Sequence, residues 1–296
     1  MKIIKLLRSF ELIIMILLLW GCGRTPSWTP LLDKNLSRWD TYLSYSFKND
    51  YKGDVPVDEN GLAMDPIGYN KNVNDVFTVI DSGGTLILKI SGEIYGCVFT
   101  RQEFENYHLK LKVKWGAKKW EPRLQKFKDS GILYNSRGEC GLDYWRSWML
   151  GQEFQVMEGH MGDYWSISTS GIDIRAFKPE GNMNAIASYR QPFLSFGKDA
   201  DFSGYCLRSA DYESPADEWT ELELICFGDK SLHIVNGHVV MILKNSHYMK
   251  DGQPVPLIKG KIQIQSEAAE VFYKDIMIRN ISALPEKYSF YYDSNN

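Results

Sequence analysis

The chain has 296 residues, of which 44% are hydrophobic and 24% are charged. These fractions are those of an ordinary globular protein, and they exclude wholesale disorder and collagen-like structure. The formal net charge of −3 argues against a nucleic-acid-binding protein, because such proteins carry a strong basic excess. Aromatic residues make up 14% of the chain; they favour β-strands and can stack on sugar rings.

The N-terminus has the pattern of a bacterial lipoprotein signal. Basic residues precede an apolar run, Leu12 to Trp20, which is too short to span a bilayer stably. The following Gly21-Cys22 resembles the end of a lipobox, and this implies cleavage before Cys22 and lipidation of its sulfur. We therefore expect a signal peptide over residues 1–21 and a lipidated tether over residues 22–29, with membrane contact only through the lipid. An ordinary signal peptide is the alternative. No acidic run follows Cys22, so we expect an outer-membrane location facing the periplasm.

The chain after the tether reads as a series of β-strands. In residues 107–115, apolar Leu109, Leu111 and Val113 alternate with basic residues, which is the period-two pattern of a half-buried strand. Asn236-Gly237 between two apolar runs predicts a type I′ hairpin, since both central residues must take positive φ. Helical periodicity is scarce, so we expect an all-β sandwich or jelly roll.

The remaining predictions concern a loop-rich region, the bounds of the domain and the cysteines. Residues 168–217 lack clear periodicity and are interpreted as long loops over one face. A single domain is expected over residues 30–283, followed by a polar tail over residues 284–296. Four cysteines lie in the domain without a CxxC spacing, so zinc is not indicated. Buried free thiols and disulfides are both open for Cys97, Cys140, Cys206 and Cys226.

Two glutamates near the middle of the chain are the candidate catalytic carboxylates. In a strand, Glu153 and Gln155 project to one face and apolar residues to the other. A β-bulge near Met157 would return Glu158 to the face of Glu153. Strict alternation would instead bury Glu158 with Phe154, and a turn that begins at Glu158-Gly159 is the structural alternative. Two carboxylates about 5–5.5 Å apart suit retaining glycoside hydrolysis.

Other polar and aromatic residues around this run are candidate site residues, each with a structural alternative. His160 could serve as an acid or second base, or be a loop histidine. Asp163 could contact a ligand or cap a turn. Arg123 and Lys126 belong to a basic segment that could bind a hydroxyl-rich or acidic ligand, fix carboxylates at the site, or form a solvated strand edge and loop. Trp148 could stack on a sugar or pack in the core.

Four motifs together resemble the 3-keto-disaccharide hydrolase-like family. In chain order they are Lys119-Trp120-Glu-Pro122-Arg123, Asp129-Ser130-Gly131-Ile-Leu-Tyr134, Glu153-Phe-Gln155-Val-Met-Glu158-Gly159 and Gly260-Lys-Ile-Gln263-Ile-Gln265-Ser266-Glu267. The resemblance implies a concanavalin A-like jelly roll of two antiparallel sheets with a ligand groove on its concave face. The third motif also resembles the Glu-x-Asp-x-x-Glu strand of laminarinase-type glucanases. However, Gln155 stands where those enzymes have Asp.

The resemblance implies cleavage of 3-keto-glycosides by elimination followed by hydration. A ketone at C3 acidifies the C2 hydrogen, so a base can remove it, the C1 substituent leaves and water adds. We expect Glu153, Glu158 and His160 to be catalytic, and Gln155, Arg123, Lys126, Trp148 and Asp163 to bind the carbohydrate. No cofactor is certain. A divalent metal held by Glu153, Glu158, His160 and Asp163 is an alternative stabiliser of the oxyanion. The alternative functions are a non-catalytic carbohydrate-binding module, an ordinary retaining glucanase and a structural lipoprotein.

Overall fold

The computed structural model describes residues 27–46, 54–142, 146–198 and 200–293. Two β-sheets account for most of this part of the chain. The front sheet contains, in spatial order, β4 (Phe77–Ser82), β5 (Thr85–Ile90), β20 (Ala269–Asn280), β7 (Tyr107–Lys119), β15 (Thr220–Phe227), β16 (Lys230–Val235), β17 (His238–Lys250), β11 (Ser170–Phe177) and β13 (Phe193–Gly197), with β1 (Thr29–Pro30) beside β20 and β18 (Gln253–Pro256) beside β17.

The back sheet carries the candidate site. Its spatial order is β3 (Gly68–Tyr69), β2 (Trp39–Leu43), β6 (Gly96–Thr100), β19 (Lys261–Ser266), β8 (Asp129–Leu142), β9 (Trp148–Met157), β10 (Tyr164–Ile167), β14 (Tyr205–Leu207) and β12 (Ala185–Ala187). Within the described ranges the paired strands are antiparallel, apart from the parallel pair β12–β14. Strand β12 also pairs with β11, so the two sheets join at this edge. The expected all-β jelly roll is confirmed.

The core lies between the inner faces of the two sheets. Leu109, Leu111 and Val113 of β7 are each 1% exposed, as the alternation in the sequence predicts. They face a layer from the back sheet that includes Phe154 of β9. The sheets are also joined by a 2.7 Å hydrogen bond between the hydroxyls of Ser130 and Tyr273. Burial of these apolar side chains supplies the main driving force for the sandwich.

The β16–β17 hairpin confirms the predicted turn. Val235 pairs with His238, and the two residues between them have φ values of 46° at Asn236 and 80° at Gly237. Only a type I′ geometry requires both values to be positive, and it matches the twist of the flanking strands.

Two segments differ from the sequence prediction. Residues 168–217 contain four strands, β11 to β14, and not long loops alone. Their alternation is hidden because both faces of β11 are largely covered. The predicted polar tail contains a helical turn, α1 (Glu286–Ser289), followed by a 3₁₀ turn at Phe290–Tyr292; another 3₁₀ turn lies at Val73–Asp75. Tyr288 is 6% exposed and packs on the outer face of the front sheet, so this end belongs to the domain.

The cysteines and the N-terminal segment complete the description. Cys97, Cys140, Cys206 and Cys226 are buried free thiols. The predicted signal peptide and the lipidation site Cys22 lie outside the described residues. Within the described ranges, the helices are too short and too polar to cross a membrane.

Candidate functional site

A cavity of about 460 Å³ lies on the outer face of the back sheet. It is lined by side chains from β8, β9, β10 and the end of β19, together with the loop between β7 and β8. The lining residues are Arg123, Asp129, Trp148, Glu153, Gln155, Met157, Trp165, Ser166, Ile167, Gln265 and Glu267. Acidic, amide and aromatic groups therefore converge in one site.

Gly131 makes the floor of this cavity possible. It lies opposite Gln155 in the β8–β9 ladder, and Glu153 lies opposite Leu133 two residues away. A Cβ atom at Gly131 would overlap Oε1 of Glu153 and the side-chain amide of Gln265. The absent side chain thus leaves space in which a carboxyl and an amide from neighbouring strands meet.

Arg123 is held by two carboxylates at one side of the cavity. Its Nη2 lies 2.7 Å from Oε1 of Glu267 and also contacts Oδ2 of Asp129. Asp129 begins β8 and bridges to Glu267, which follows β19, so the sheet register brings both acids to the same guanidinium. The loop carrying Arg123 is fixed by a hydrogen bond of 2.9 Å from Trp120 N to the carbonyl of Ala268.

Three buried acids surround this one arginine. Burial raises the pKa of Glu153 well above its usual range, and the negative charges of Glu267 and Asp129 raise it further. Burial also raises the pKa of Asp129, with a further contribution from Glu267, although Arg123 opposes both effects. The pKa of Glu267 is raised by burial against the same opposing arginine. The three carboxyls therefore keep their protons to a higher pH than ordinary acids do, and Glu153 is the one that Arg123 does not contact.

Several polar atoms at the cavity have no hydrogen-bond partner within the described ranges. Gln155 donates from Nε2 to Oδ1 of Asp129 at 2.8 Å, but its own Oε1 is unpartnered. Both polar atoms of the Gln265 amide and Nε of Arg123 are also buried without a partner. Because unpaired buried polar groups are costly, these atoms indicate a place for a polar ligand.

Two tryptophans line the cavity in different ways. Trp148, expected from the sequence, is 6% exposed and donates from its indole nitrogen to the carbonyl of Gly96 at 3.2 Å. Trp165 of β10 lies opposite Glu153 in the ladder and is 41% exposed. Its ring packs against Tyr205, with centroids 4.3 Å apart. Trp165 is thus the aromatic surface available for stacking on a sugar, while Trp148 forms part of the wall.

Glu158 and Lys126 lie outside this cavity. Strand β9 ends at Met157, and the chain turns at Gly159, whose φ is 74°. The expected bulge is absent from β9, and Glu158 enters a neighbouring depression that Lys126 also lines. Its carboxylate lies 3.5 Å from Nζ of Lys128. The expected convergence of Glu158 with Glu153 is therefore wrong, because the turn begins before a bulge can reverse the face.

His160 and Asp163 belong to the turn between β9 and β10. Asp163 is fully buried and accepts hydrogen bonds from the hydroxyl of Tyr205 at 2.5 Å and from the backbone and guanidinium of Arg208 at 2.8 and 3.2 Å. Nδ1 of His160 lies 3.0 Å from Oδ2 of Asp163, the same oxygen that accepts from Tyr205. Neither residue is among those lining the cavity. These contacts assign Asp163 to holding the turn, which corrects its expected contact with substrate.

No arrangement of described side chains suggests a metal centre. Within the described ranges, no group of three or more His, Cys, Asp or Glu side chains is placed to hold a metal ion. Glu153, Glu158, His160 and Asp163, the alternative ligand set from the sequence, are distributed between the cavity, the depression and the turn.

The cavity also contains residues to which the sequence alone gave no role. Asp129, Gln265, Glu267 and Trp165 come from three strands and their ends, far apart in the chain. The first three lie in motifs that carry the family resemblance, and this is the sequence feature that could have identified them as site residues. Their meeting point depends on sheet register, which the local sequence does not specify.

An all-β sandwich with an acidic, tryptophan-lined cavity on its outer face is typical of carbohydrate-active proteins. The chain belongs to the family of 3-keto-α-glucoside-1,2-lyase-like domains, whose family model matches residues 27–279. No curated protein matches the sequence.

Solved structures resemble the chain at low sequence identity. A candidate glycosyl hydrolase from Parabacteroides distasonis ATCC 8503 is 17% identical, with a TM-score of 0.46, over 86% of this chain and 100% of its own. The β-glucanase of Bacillus licheniformis is 10% identical, with a TM-score of 0.37, over 88% and 99%. The carbohydrate-binding module CBM66 from Bacillus subtilis is also 10% identical, with a TM-score of 0.37, over 69% and 92%.

Proposed function

We propose that the protein cleaves the glycosidic bond of 3-keto-glycosides by base-initiated elimination, followed by hydration. The observation that carries this proposal is the single carboxyl of Glu153 in the cavity, free of the arginine and with a raised pKa. A C–H bond beside a ketone is only weakly acidic, so a carboxylate with a raised pKa is a better matched base than an ordinary one.

The other groups of the cavity complete the reaction. Glu153 removes the C2 hydrogen as a proton, and the electron pair of that bond forms the enolate. The enolate then returns to the ketone as the C1=C2 double bond forms and the C1–oxygen bond breaks. The unpartnered Nε of Arg123 donates to the developing enolate oxygen. A proton retained by Asp129 and Glu267 passes to the leaving oxygen. Water then adds across the new double bond, so the net reaction is hydrolysis.

The two-carboxylate mechanism of a retaining glucanase fits the cavity less well. That mechanism needs an ionised nucleophile free to attack C1, beside a carboxylic acid. In the described part of the cavity wall, Asp129 and Glu267 are both engaged with Arg123, which leaves Glu153 as the free carboxyl. The elimination needs Glu153 only as the base, because the leaving oxygen takes its proton from the acids beside Arg123.

The substitution Glu153→Gln tests the base directly. We expect it to lower kcat/KM for a 3-keto-glucoside by about 10²–10⁴-fold, the usual contribution of a general base. Glu158→Gln should lower it far less, because Glu158 lies in the neighbouring depression. In the parent, kcat/KM should rise with pH as Glu153 loses its proton, with a midpoint above that of an ordinary glutamic acid, since its pKa is raised.

Three results would overturn parts of this proposal. Full activity of a folded Glu153→Gln protein would remove Glu153 from the mechanism. Turnover of ordinary glycosides at the same rate as the 3-keto compounds would favour the glucanase reading. Binding without turnover of either class would make the protein a carbohydrate-binding module.

We also propose that the protein is anchored at the outer membrane, facing the periplasm, by lipid on Cys22. The support is the lipobox-like Leu19-Trp20-Gly21-Cys22 after a short apolar run. Since one thioether would carry the lipid, Cys22→Ser should leave the chain unprocessed or release it to the soluble fraction. Fractionation of intact cells with mass measurement of the purified chain checks this. A processed variant that fractionates with membranes like the parent would contradict it.

A further inference from the structure

A second depression adjoins the cavity. It has a volume of about 570 Å³ and shares Arg123 and Met157 with the cavity wall. Its other sides are formed by the loop between β7 and β8 and by Glu158. A ligand whose reacting sugar occupies the cavity would therefore extend its leaving group over Arg123 into this depression.

The charges of this depression are unbalanced. Lys128 is paired with Glu158 at 3.5 Å, and Arg123 is held by two acids. In contrast, Lys119 and Lys126 have no carboxylate partner within the described ranges. Nζ of Lys119 instead donates to the carbonyl of Lys126 at 2.7 Å, which ties the loop into a fixed position. Two positive charges therefore remain available at the rim.

An aromatic ring lies beside these lysines. Phe127 is 57% exposed, and its ring lies 5.9 Å from that of His160. An exposed phenyl face packs well on a flat apolar ring, and the two lysines would attract a negative group on that ring. A neutral sugar alone would need neither lysine.

We propose that this depression is the leaving-group subsite and that it selects leaving groups that carry a carboxylate. The inference rests on the proposed function, because the subsite is defined relative to the sugar held beside Glu153. Lys119 and Lys126 act in recognition and take no part in proton transfer. Their contribution should be modest, since each ammonium group is partly solvated.

The test compares two aryl 3-keto-glucosides that differ only in charge, one with a 4-carboxyphenyl and one with a 4-carbamoylphenyl leaving group. The variant Lys119→Gln/Lys126→Gln should lower kcat/KM for the carboxylate substrate by about three- to tenfold, as expected for two partly exposed ion pairs. The carbamoyl substrate should be unaffected. The control Lys71→Gln/Lys250→Gln removes the same total charge at exposed positions elsewhere and should change neither value.

Added salt should reduce the preference of the parent for the carboxylate substrate and leave the double variant unchanged. Equal effects on both substrates, or no effect on either, would overturn the subsite. If the parent cleaves neither substrate, the proposed function fails, and the subsite is then tested by calorimetry with the corresponding 4-carboxyphenyl and 4-carbamoylphenyl glucosides. A preference for the carboxylate that is lost in the lysine variant supports the subsite; equal affinities overturn it.

Discussion

Gly131 sets the distance between the proposed base and its neighbours. Its hydrogen occupies the space where any other residue would place a Cβ against Glu153 and Gln265. This role differs from that of the turn glycines, because no positive φ is required at Gly131 and the constraint is space alone. A single added atom at this position would therefore force the ends of the Glu153 and Gln265 side chains to move.

Gly131→Ala should lower the free energy of unfolding by about 1–3 kcal/mol, the usual cost of overpacking, and should abolish most of the activity by displacing Glu153. Adding Glu153→Ala removes the nearest colliding atoms. The loss of unfolding free energy in the double variant, measured by urea denaturation, should therefore be smaller than the sum of the losses in the two single variants. Strictly additive effects would show that the two side chains do not collide.

At the scale of elements, β9 and the turn after it show what the sequence can predict. The alternation of β9 correctly placed Glu153 and Gln155 on one face and Phe154 in the core. The same pattern could not decide between a bulge and a turn after Met157, because both are local and compatible with Gly159. Nor could it bring Asp129 to the side chain of Gln155, since that hydrogen bond depends on the pairing of separate strands.

The turn between β9 and β10 depends on a buried carboxylate. Asp163→Asn should destabilise the protein by about 3 kcal/mol, because it removes the buried one of the two carboxylates paired with Arg208 and leaves only the exposed Asp211 at 3.4 Å. His160→Gln should cost much less, since the histidine is partly solvated. Activity per folded molecule should fall little in either variant. Unchanged stability of Asp163→Asn with a raised KM would instead restore the residue to substrate binding.

At the scale of the whole molecule, the buried groups Glu153 and His233 make stability depend on pH in opposite directions. Glu153 faces the cavity, whereas His233 of β16 lies between the sheets against the ring of Phe154, with centroids 4.4 Å apart. The Gly162 carbonyl, 3.1 Å from Nδ1, can only accept, so Nδ1 carries the proton and Nε2 accepts from the hydroxyl of Tyr134 at 3.2 Å. The imidazole is thus fully bonded in its neutral form.

Burial lowers the pKa of His233 from 6.5 to about 3. Below pH 6.5 the unfolded chain therefore binds a proton that the folded chain does not, so the stability contribution of His233 is complete above that pH and is lost progressively down to about pH 3. The raised pKa of Glu153 has the opposite effect on stability, because the folded form holds the extra proton and loses stability as the pH rises.

Relative to His233→Gln, the parent should lose about 1.4 kcal/mol per pH unit within the histidine window, while the Glu153 effect, common to both proteins, cancels. Urea denaturation at several pH values between neutrality and the acid limit measures this difference. His238→Gln, which removes an imidazole at an exposed position, is the matched control. A parent–His233→Gln difference that stays constant with pH would show that His233 is protonated within the folded protein.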